Sequence, residues 1–426
     1  MEWTKEQQQV IDLRNRNILV SAAAGSGKTA VLVERIITRL TEDAEPINVD
    51  ELLIVTFTEA AASEMKERIL LAIEKKLEEK PDNVHLQRQA SLIHSAMITT
   101  IHSFCLSVIR EHFHTIDLDP GFRIGEEGEL KLLKKDVLDE LLEEEYRKNE
   151  PAFLAFVERY ATGRDDRKLE ELILQIYEFS RSYPNPSKWL RSCENAYEVE
   201  SVEDLLESPA GKLVTENIKR YAEDAVSLLE EGVRICEEPD GPYMYKETLE
   251  SEMEGWKYFL SSENLLHMFE RRGKAEGGKL KANRDKGVSK ELAEQVKDIR
   301  KQTKAVLTDI TKNYLFQSPE EMVEDIQAAK STVKELVFLV EEFAESFEGA
   351  KRKRNLIDFG DMEQLALRIL TEEKEEELCP SLVAEEYQKR FQEIMIDEYQ
   401  DSNLIQEAIL TSVSTVSKGK YNIFMV

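Results

Sequence analysis

Apolar positions along the chain fall into three regimes. Over residues 1–120, short runs that are apolar nearly throughout alternate with stretches where apolar residues recur every three or four positions. The runs are Asn17-Ile18-Leu19-Val20, Leu52-Leu53-Ile54-Val55-Thr56-Phe57 and Met97-Ile98-Thr99-Thr100. The periodic stretches predict helices over 29–40, 59–80 and 102–114. Runs without polar alternation predict strands of a parallel sheet covered on both faces. From residue 121 to 345 the strand signal vanishes. Segments such as Leu130–Tyr146, Lys168–Tyr177 and Ala328–Phe347 keep one apolar stripe and one charged face, which predicts helices. After residue 355 the first regime returns, with helices over 360–371, 382–391 and 403–413, the strand Glu393-Ile394-Met395-Ile396 and the apolar run Tyr421–Val426. The simplest architecture is an α/β domain in two sequence pieces, 1–120 and 351–426, interrupted by an all-helical insertion over 121–350. The chain stops inside its last apolar run with no turn or helix after it, which predicts a longer protein.

Composition narrows the class. Of the 426 residues, 41% are apolar and 33% charged, enough to build packed cores and too ordered a mixture for a disordered chain. No stretch reaches the roughly 18 continuous apolar residues of a membrane helix, and the first residues carry no secretory signal. Cys105, Cys193, Cys236 and Cys379 lie far apart without a C-x-x-C pair, which fits a reducing cytoplasm. The net charge of −28 weighs against a polyanionic partner. A binding groove is local, however, so nucleic acid is not excluded.

The first run leads into Ser21-Ala22-Ala23-Ala24-Gly25-Ser26-Gly27-Lys28-Thr29 and then a helix. Small residues let backbone N–H groups turn inward on a triphosphate, and the helix start presents its unpaired donors to the anion. Lys28 can reach the β- and γ-phosphates, and the Thr29 hydroxyl can ligate Mg²⁺. The leading glycine of G-x-x-x-x-G-K-[ST] is replaced by Ala22, tolerable if its φ stays negative. The late strand runs into Asp397-Glu398-Tyr399-Gln400-Asp401. Two carboxylates at a strand end can divide the work of a P-loop hydrolase, Asp397 on the metal and Glu398 as base for the attacking water. A solvated acidic turn is the alternative in a chain with 85 acidic residues.

Together, Ala22–Thr29, Thr56-Phe57-Thr58-Glu59-Ala60-Ala61-Ala62-Ser63-Glu64-Met65, Thr100-Ile101-His102-Ser103-Phe104-Cys105 and Ile396–Asp401 resemble successive motifs of the UvrD-like superfamily 1 DNA helicases, in the family's order. The loop string and Thr-Ile-His-Ser-Phe-Cys are most similar to the AddA branch, from bacterial AddAB helicase–nucleases. The resemblance implies a RecA-like motor domain using ATP with Mg²⁺, and an AddB-type partner in a heterodimer that repairs double-strand breaks. Gln7, within Trp3-Thr4-Lys5-Glu6-Gln7-Gln8, would read the adenine edge. Many relatives carry Arg at the position of Ala30. The family also continues past a strand like Ile423–Val426 into a γ-phosphate sensor, a second motor domain with arginine fingers and, in the AddA branch, a nuclease. This chain by itself is therefore expected to hydrolyse ATP very slowly.

The same resemblance places single-stranded DNA against the loops at 56–65 and 100–105. Phe57 offers a face for base stacking, and Thr56, Thr58, His102 and Ser103 offer donors to phosphates. Against this, Phe57 could be a core aromatic at a strand end and His102 a helix-capping or structural histidine. Residues 271–304 hold 12 Lys or Arg against 5 Asp or Glu. Their Gly-rich first part, with Lys279, Lys281 and Arg284, reads as a flexible phosphate contact for duplex DNA or as a solvated face. The role of Asp358-Phe359-Gly360-Asp361 is not derivable beyond a structural one. The acidic runs Glu143–Glu145 and Glu372–Glu377 read as solvated helix faces, and the histidines form no metal set. Two other functions compete with a helicase: a P-loop NTPase acting on proteins or small molecules, and a helical scaffold with a vestigial nucleotide site. Intact Lys28, Thr29, Asp397 and Glu398 argue against decay.

Overall fold

A computed structural model of the chain describes residues 3–23, 25–41, 43, 45–161, 166–374 and 377–426. Its first stretch runs α1 (Lys5–Asp12), β1 (Ile18–Leu19), α2 (Lys28–Thr41), β2 (Leu52–Thr56), α3 (Glu59–Glu79), α4 (Val84–Leu92), β3 (Met97–Thr100), α5 (Ile101–His112) and β4 (Arg123–Ile124). Helices follow without a strand among the described residues: α6 (Glu127–Lys148), α7 (Pro151–Tyr160), α8 (Arg167–Ser180), α9 (Pro186–Asn195), α10 (Val202–Glu207), α11 (Pro209–Cys236), α12 (Lys246–Leu260), α13 (Leu265–Arg271), α14 (Lys290–Asn313) and α15 (Pro319–Lys353). The last stretch is β5 (Leu356–Ile357), α16 (Phe359–Leu370), β6 (Thr371–Lys374), β7 (Glu377–Pro380), α17 (Leu382–Arg390), β8 (Glu393–Ile396), α18 (Leu404–Ser412) and β9 (Ile423–Met425). No helix among the described residues is long and apolar enough to cross a membrane.

Five strands form one parallel sheet in the order β1-β9-β8-β2-β3. Strands from both ends of the chain interleave. Val20 N–H donates to Met425 O and Asp397 N–H to Val55 O, both at 2.9 Å. Every residue of β2 and β8 is buried, because each face has its own helical cover. Leu53, Val55, Ile394 and Ile396 pack with α5, α16, α17 and α18. Their neighbours Leu52, Ile54 and Met395 pack with α2 and α3. Burying each such side chain contributes roughly 1.5–3 kcal/mol, so continuous apolar runs are stable only at this position.

The chain divides into two compact units. One takes in residues up to Glu150, Val157–Trp189 and Leu339–Val426. Besides the sheet it includes α6, α8 and the C-terminal part of α15, with Tyr177 set edge-on to Phe343 at 5.1 Å. The other takes in Pro151–Phe156 and Leu190–Phe338. Its core joins α11, α12 and α14 around Leu229, Trp256, Phe259 and Val296.

Three expectations need correction. The strand signal does not end at residue 121, because β4 pairs in parallel with β5, Arg123 opposite Leu356. Two residues are too few for a period to show. The acidic run Glu372–Glu377 is not a helix face. Glu372 to Lys374 lie in β6, paired antiparallel with β7 (Glu375 and Glu376 lie outside the described residues). Ser381 closes this hairpin by donating its N–H to Leu370 O at 2.9 Å and its hydroxyl to Ile369 O at 2.7 Å. In the run Glu143–Glu145, Glu145 is buried and takes a bond from Lys148 Nζ at 2.8 Å.

Candidate nucleotide-binding site

The loop from β1 to α2 lies at the C-terminal edge of the parallel sheet, where strand ends leave backbone groups unpaired. Gly25 and Gly27 have φ of +79° and +81°, left-handed values that a side chain disfavours. Ala22 is not among the residues with positive φ, so its methyl is accommodated. Ser26 N–H donates to Ala23 O at 3.2 Å, closing the turn. Lys28 opens α2 and donates to Ala22 O at 3.3 Å, folding its ammonium over the loop. Thr29 follows in the first helical turn. Ala24 lies outside the described residues.

Gln7 is held against this loop. Thr4 and Gln7 form a reciprocal cap at the start of α1, and the Gln7 amide donates to Ser26 O at 3.2 Å.

Asp397 and Glu398 follow β8, two strands from β1. Burial raises the Asp397 carboxyl above its ordinary range; a backbone hydrogen bond and the Lys28 ammonium pull the other way without overcoming it. The ammonium and the carboxylate thus act on each other across the sheet edge, though 369 positions separate them in sequence. Glu398 has φ +60° and ψ +45°, an uncommon conformation for a non-glycine residue, and its side chain is exposed. A left-handed non-glycine backbone beside a half-buried carboxylate is characteristic of sites where side-chain direction matters more than stability. The oxygen donors of Thr29 and Asp397 suit a hard cation such as Mg²⁺, which binds few protein ligands and keeps its waters.

A cleft of about 110 Å³ opens beside the carboxylates. Its walls include Thr56, Phe57, His102, Asp397, Glu398 and Gln406. The loop after β2 and the start of α5 therefore adjoin the acidic turn directly. Phe57 is 65% exposed, which removes the core-aromatic alternative. Thr56 is instead buried, its hydroxyl donating to Thr58 O at 3.1 Å. Thr58 caps α3 by accepting from Ala61 N–H at 3.1 Å. Ser103 donates its hydroxyl to Glu59 Oε1 at 2.6 Å, and Thr100 to the same oxygen at 3.0 Å. These two bonds, Ser103 first, hold the Glu59 carboxyl below its ordinary range. Of the donors expected to meet a phosphate, the Thr56 and Ser103 hydroxyls are committed within the protein. His102 lies edge-on to Phe359 at 5.4 Å.

A profile of the UvrD/REP helicase N-terminal domain matches residues 3–426. The chain belongs to this family. Relatives named as the A-type ATP-dependent helicase/nuclease subunit match it over its whole length. Those of Lachnoclostridium phytofermentans, Geobacillus kaustophilus and Clostridium beijerinckii are 48%, 42% and 40% identical to it. The match takes in 31%, 34% and 34% of those proteins, so the chain spans about a third of their length.

Elsewhere in this UvrD/REP helicase domain, Asp358 and Asp361 gain a clear structural role. Each accepts the other's N–H in a reciprocal cap of α16. Lys351, 2% exposed, donates to Asp358 at 2.8 Å and Asp361 at 2.6 Å, and Arg181 donates to Asp361 at 2.8 Å. The two aspartates of the string thus share one largely buried ion cluster with Lys351 and Arg181. In the basic segment at 271–304, three of the twelve basic residues are shown paired with carboxylates. Arg300 is buried against Glu252 (Nε to Oε2, 2.9 Å), Lys281 pairs with Glu247, and Lys297 pairs with Glu294 at 3.0 Å. Lys279 and Arg284 are exposed. Gly278 O accepts from Arg300 Nη2 at 2.8 Å, which ties the Gly-rich stretch to that ion pair.

Sequence reasoning missed Glu59, Phe359, Glu363 and Gln406. A Glu two residues after the Phe57 aromatic, and a Gln five residues past Asp401, were the signals available.

Proposed function

We propose that this chain is the first motor domain of an ATP-driven DNA helicase of the AddA type, belonging to a helicase–nuclease that processes double-strand breaks. In this reading the sheet is a RecA-like motor built from residues 1–120 and 351–426, and 121–350 is a helical insertion. The observation that carries it is that the Lys28 loop after β1 and the Asp397-Glu398 turn after β8 share one edge of the parallel sheet, with a cleft running from the carboxylates to the exposed Phe57.

ATP would lie over Ala22–Thr29, with Gln7 turning its amide to the adenine. Lys28 neutralises the β- and γ-phosphates, and backbone N–H groups at the start of α2 receive them. Bound Mg²⁺, held by Thr29 and Asp397, would supply further charge neutralisation at those oxygens. Glu398, exposed and directed by its left-handed backbone, orients and deprotonates the attacking water. Single-stranded DNA would cross Phe57, Thr58 and His102, with Thr56 and Ser103 shaping the loops from within. Lys279, Lys281 and Arg284 would touch phosphates of the duplex ahead. An AddB-type partner completes the heterodimer in the cytoplasm, and the nuclease in the relatives' name belongs to a part of those proteins outside the matched third.

The test uses the full-length protein. Lys28→Ala abolishes ATP-driven unwinding. Glu398→Gln retains ATP binding and lowers turnover by roughly 10²–10⁴-fold, the usual contribution of a general base. Normal unwinding by either variant refutes the assignment.

A further inference from the structure

Glu363, on α16, is 6% exposed. Its Oε1 accepts from Gln406 Nε2 at 2.7 Å. The same oxygen lies 3.3 Å from His102 Nε2. Gln406 stands in the first turns of α18, immediately after the Asp397–Asp401 turn, and its own N–H is fixed by Asn403 Oδ1 at 2.9 Å. His102 stands in the first turn of α5, immediately after β3. Both line the cleft with Asp397 and Glu398. One buried oxygen therefore joins the loop on the DNA side to the helix that begins behind the catalytic turn.

We infer that Glu363 is a positioning residue through which occupancy at His102 alters the setting of the Glu398 turn. The inference rests on the DNA reading of the Phe57 and His102 loops given above. A buried carboxylate cannot lose a partner without cost, so its two partners are not independent. When a phosphate or base draws His102 Nε2 away, Gln406 becomes the sole holder of Oε1. The bond tightens, and α18 draws the acidic turn with it. The structure shows one arrangement, His102 on Glu363; coupling between the sites requires a second, His102 on DNA.

The experiment measures ATP turnover by the full-length protein, without DNA and with saturating oligothymidylate, together with oligothymidylate affinity by fluorescence anisotropy. Glu363→Gln keeps the shape and an acceptor oxygen but removes the charge. Stimulation by DNA should fall about tenfold, the scale of one hydrogen bond to a charged group. Basal turnover and oligonucleotide affinity should stay within about twofold, since only the coupling is touched. Full stimulation in the variant overturns the inference. So does a basal rate that falls in parallel with the stimulated one, which marks a purely structural role.

If Glu363→Gln loses its cooperative thermal transition, a double-mutant cycle replaces it. His102→Ala and Gln406→Ala, measured singly and together on the stimulated rate, should deviate from additivity by about threefold or more. Additive effects overturn the inference. Wild-type protein that DNA does not stimulate at all overturns the DNA reading itself; that result appears before any variant is made, so the two failures are distinct.

Discussion

Arg35 and Glu393 stand 358 residues apart in sequence and link the two pieces of the sheet unit through a buried ion pair. Arg35 is 1% exposed and Glu393 5%. Glu393 Oε1 accepts from Arg35 Nε at 3.0 Å and Nη2 at 2.6 Å, and its Oε2 lies 3.2 Å from Arg39 Nε. Arg35 Nη1 also donates to Val10 O at 2.5 Å, and the guanidinium stacks 4.9 Å from the Phe424 ring on β9. Burial lowers the Arg35 pKa against the opposing pull of Glu393, a sign of how fully the cation is desolvated. Arg35→Met leaves a buried carboxylate with one remaining cation. Breaking such a pair costs about 3–5 kcal/mol, and the surviving Arg39 places this case near about 3 kcal/mol. Arg35→Met with Glu393→Met removes both charges and should come out within about 1–2 kcal/mol of wild type, so the two changes are strongly non-additive.

Native-state hydrogen exchange is the appropriate assay, because it reads the sheet unit separately from the helical one. The Ile394 and Asp397 amides, bonded to Asn422 O and Val55 O, report opening of the sheet. Loss of about 3 kcal/mol should speed their exchange roughly a hundredfold, while amides of α12 and α14 keep their protection. A single-variant loss below about 1 kcal/mol, or additive behaviour of the pair, refutes the reasoning that this ion pair couples the two pieces.

Gly27→Ala places a side chain at φ +81°, which should cost roughly 1–2 kcal/mol locally and weaken ATP binding in calorimetry, without changing α12 or α14 exchange. Asp397 has a carboxyl pKa raised by burial, so its ionised form opposes folding of the nucleotide-free protein at neutral pH. Asp397→Asn should therefore raise the thermal midpoint at pH 7, and the gain should shrink as the pH falls through the raised pKa towards the ordinary 3.8; a lower midpoint at pH 7 contradicts this. Phe57→Ala removes an exposed ring, so stability should stay within about 0.5 kcal/mol while affinity for single-stranded DNA falls by roughly 1–3 kcal/mol, both measured on the same preparation.

Much of this molecule was legible in one dimension. The runs at 52–57 and 393–396 lack polar alternation, and only a strand buried on both faces tolerates that, so the parallel sheet followed from pattern alone. Gly25 and Gly27 stand where the loop needs left-handed backbone. The pair Asp397-Glu398 ends an apolar strand, so its place at a sheet edge could be read from the chain alone. The acidic run at 372–377 misled because charge reports exposure and not conformation; a hairpin and a helix face expose carboxylates equally well.

What the sequence determined by itself was local: which segments bury a face, where the backbone must turn, and which residues carry phosphate chemistry. The tertiary structure decided which of them meet. Strand order β1-β9-β8-β2-β3 sets the Lys28 loop and the Asp397 turn at one sheet edge, turns the Thr56 hydroxyl inward, and makes Glu59 and Glu363 tethers between helices. The reason is physical. Periodicity encodes how much of a residue leaves water, whereas a hydrogen bond or ion pair depends on the partner across the gap, and that partner is chosen only when distant strands pack side by side.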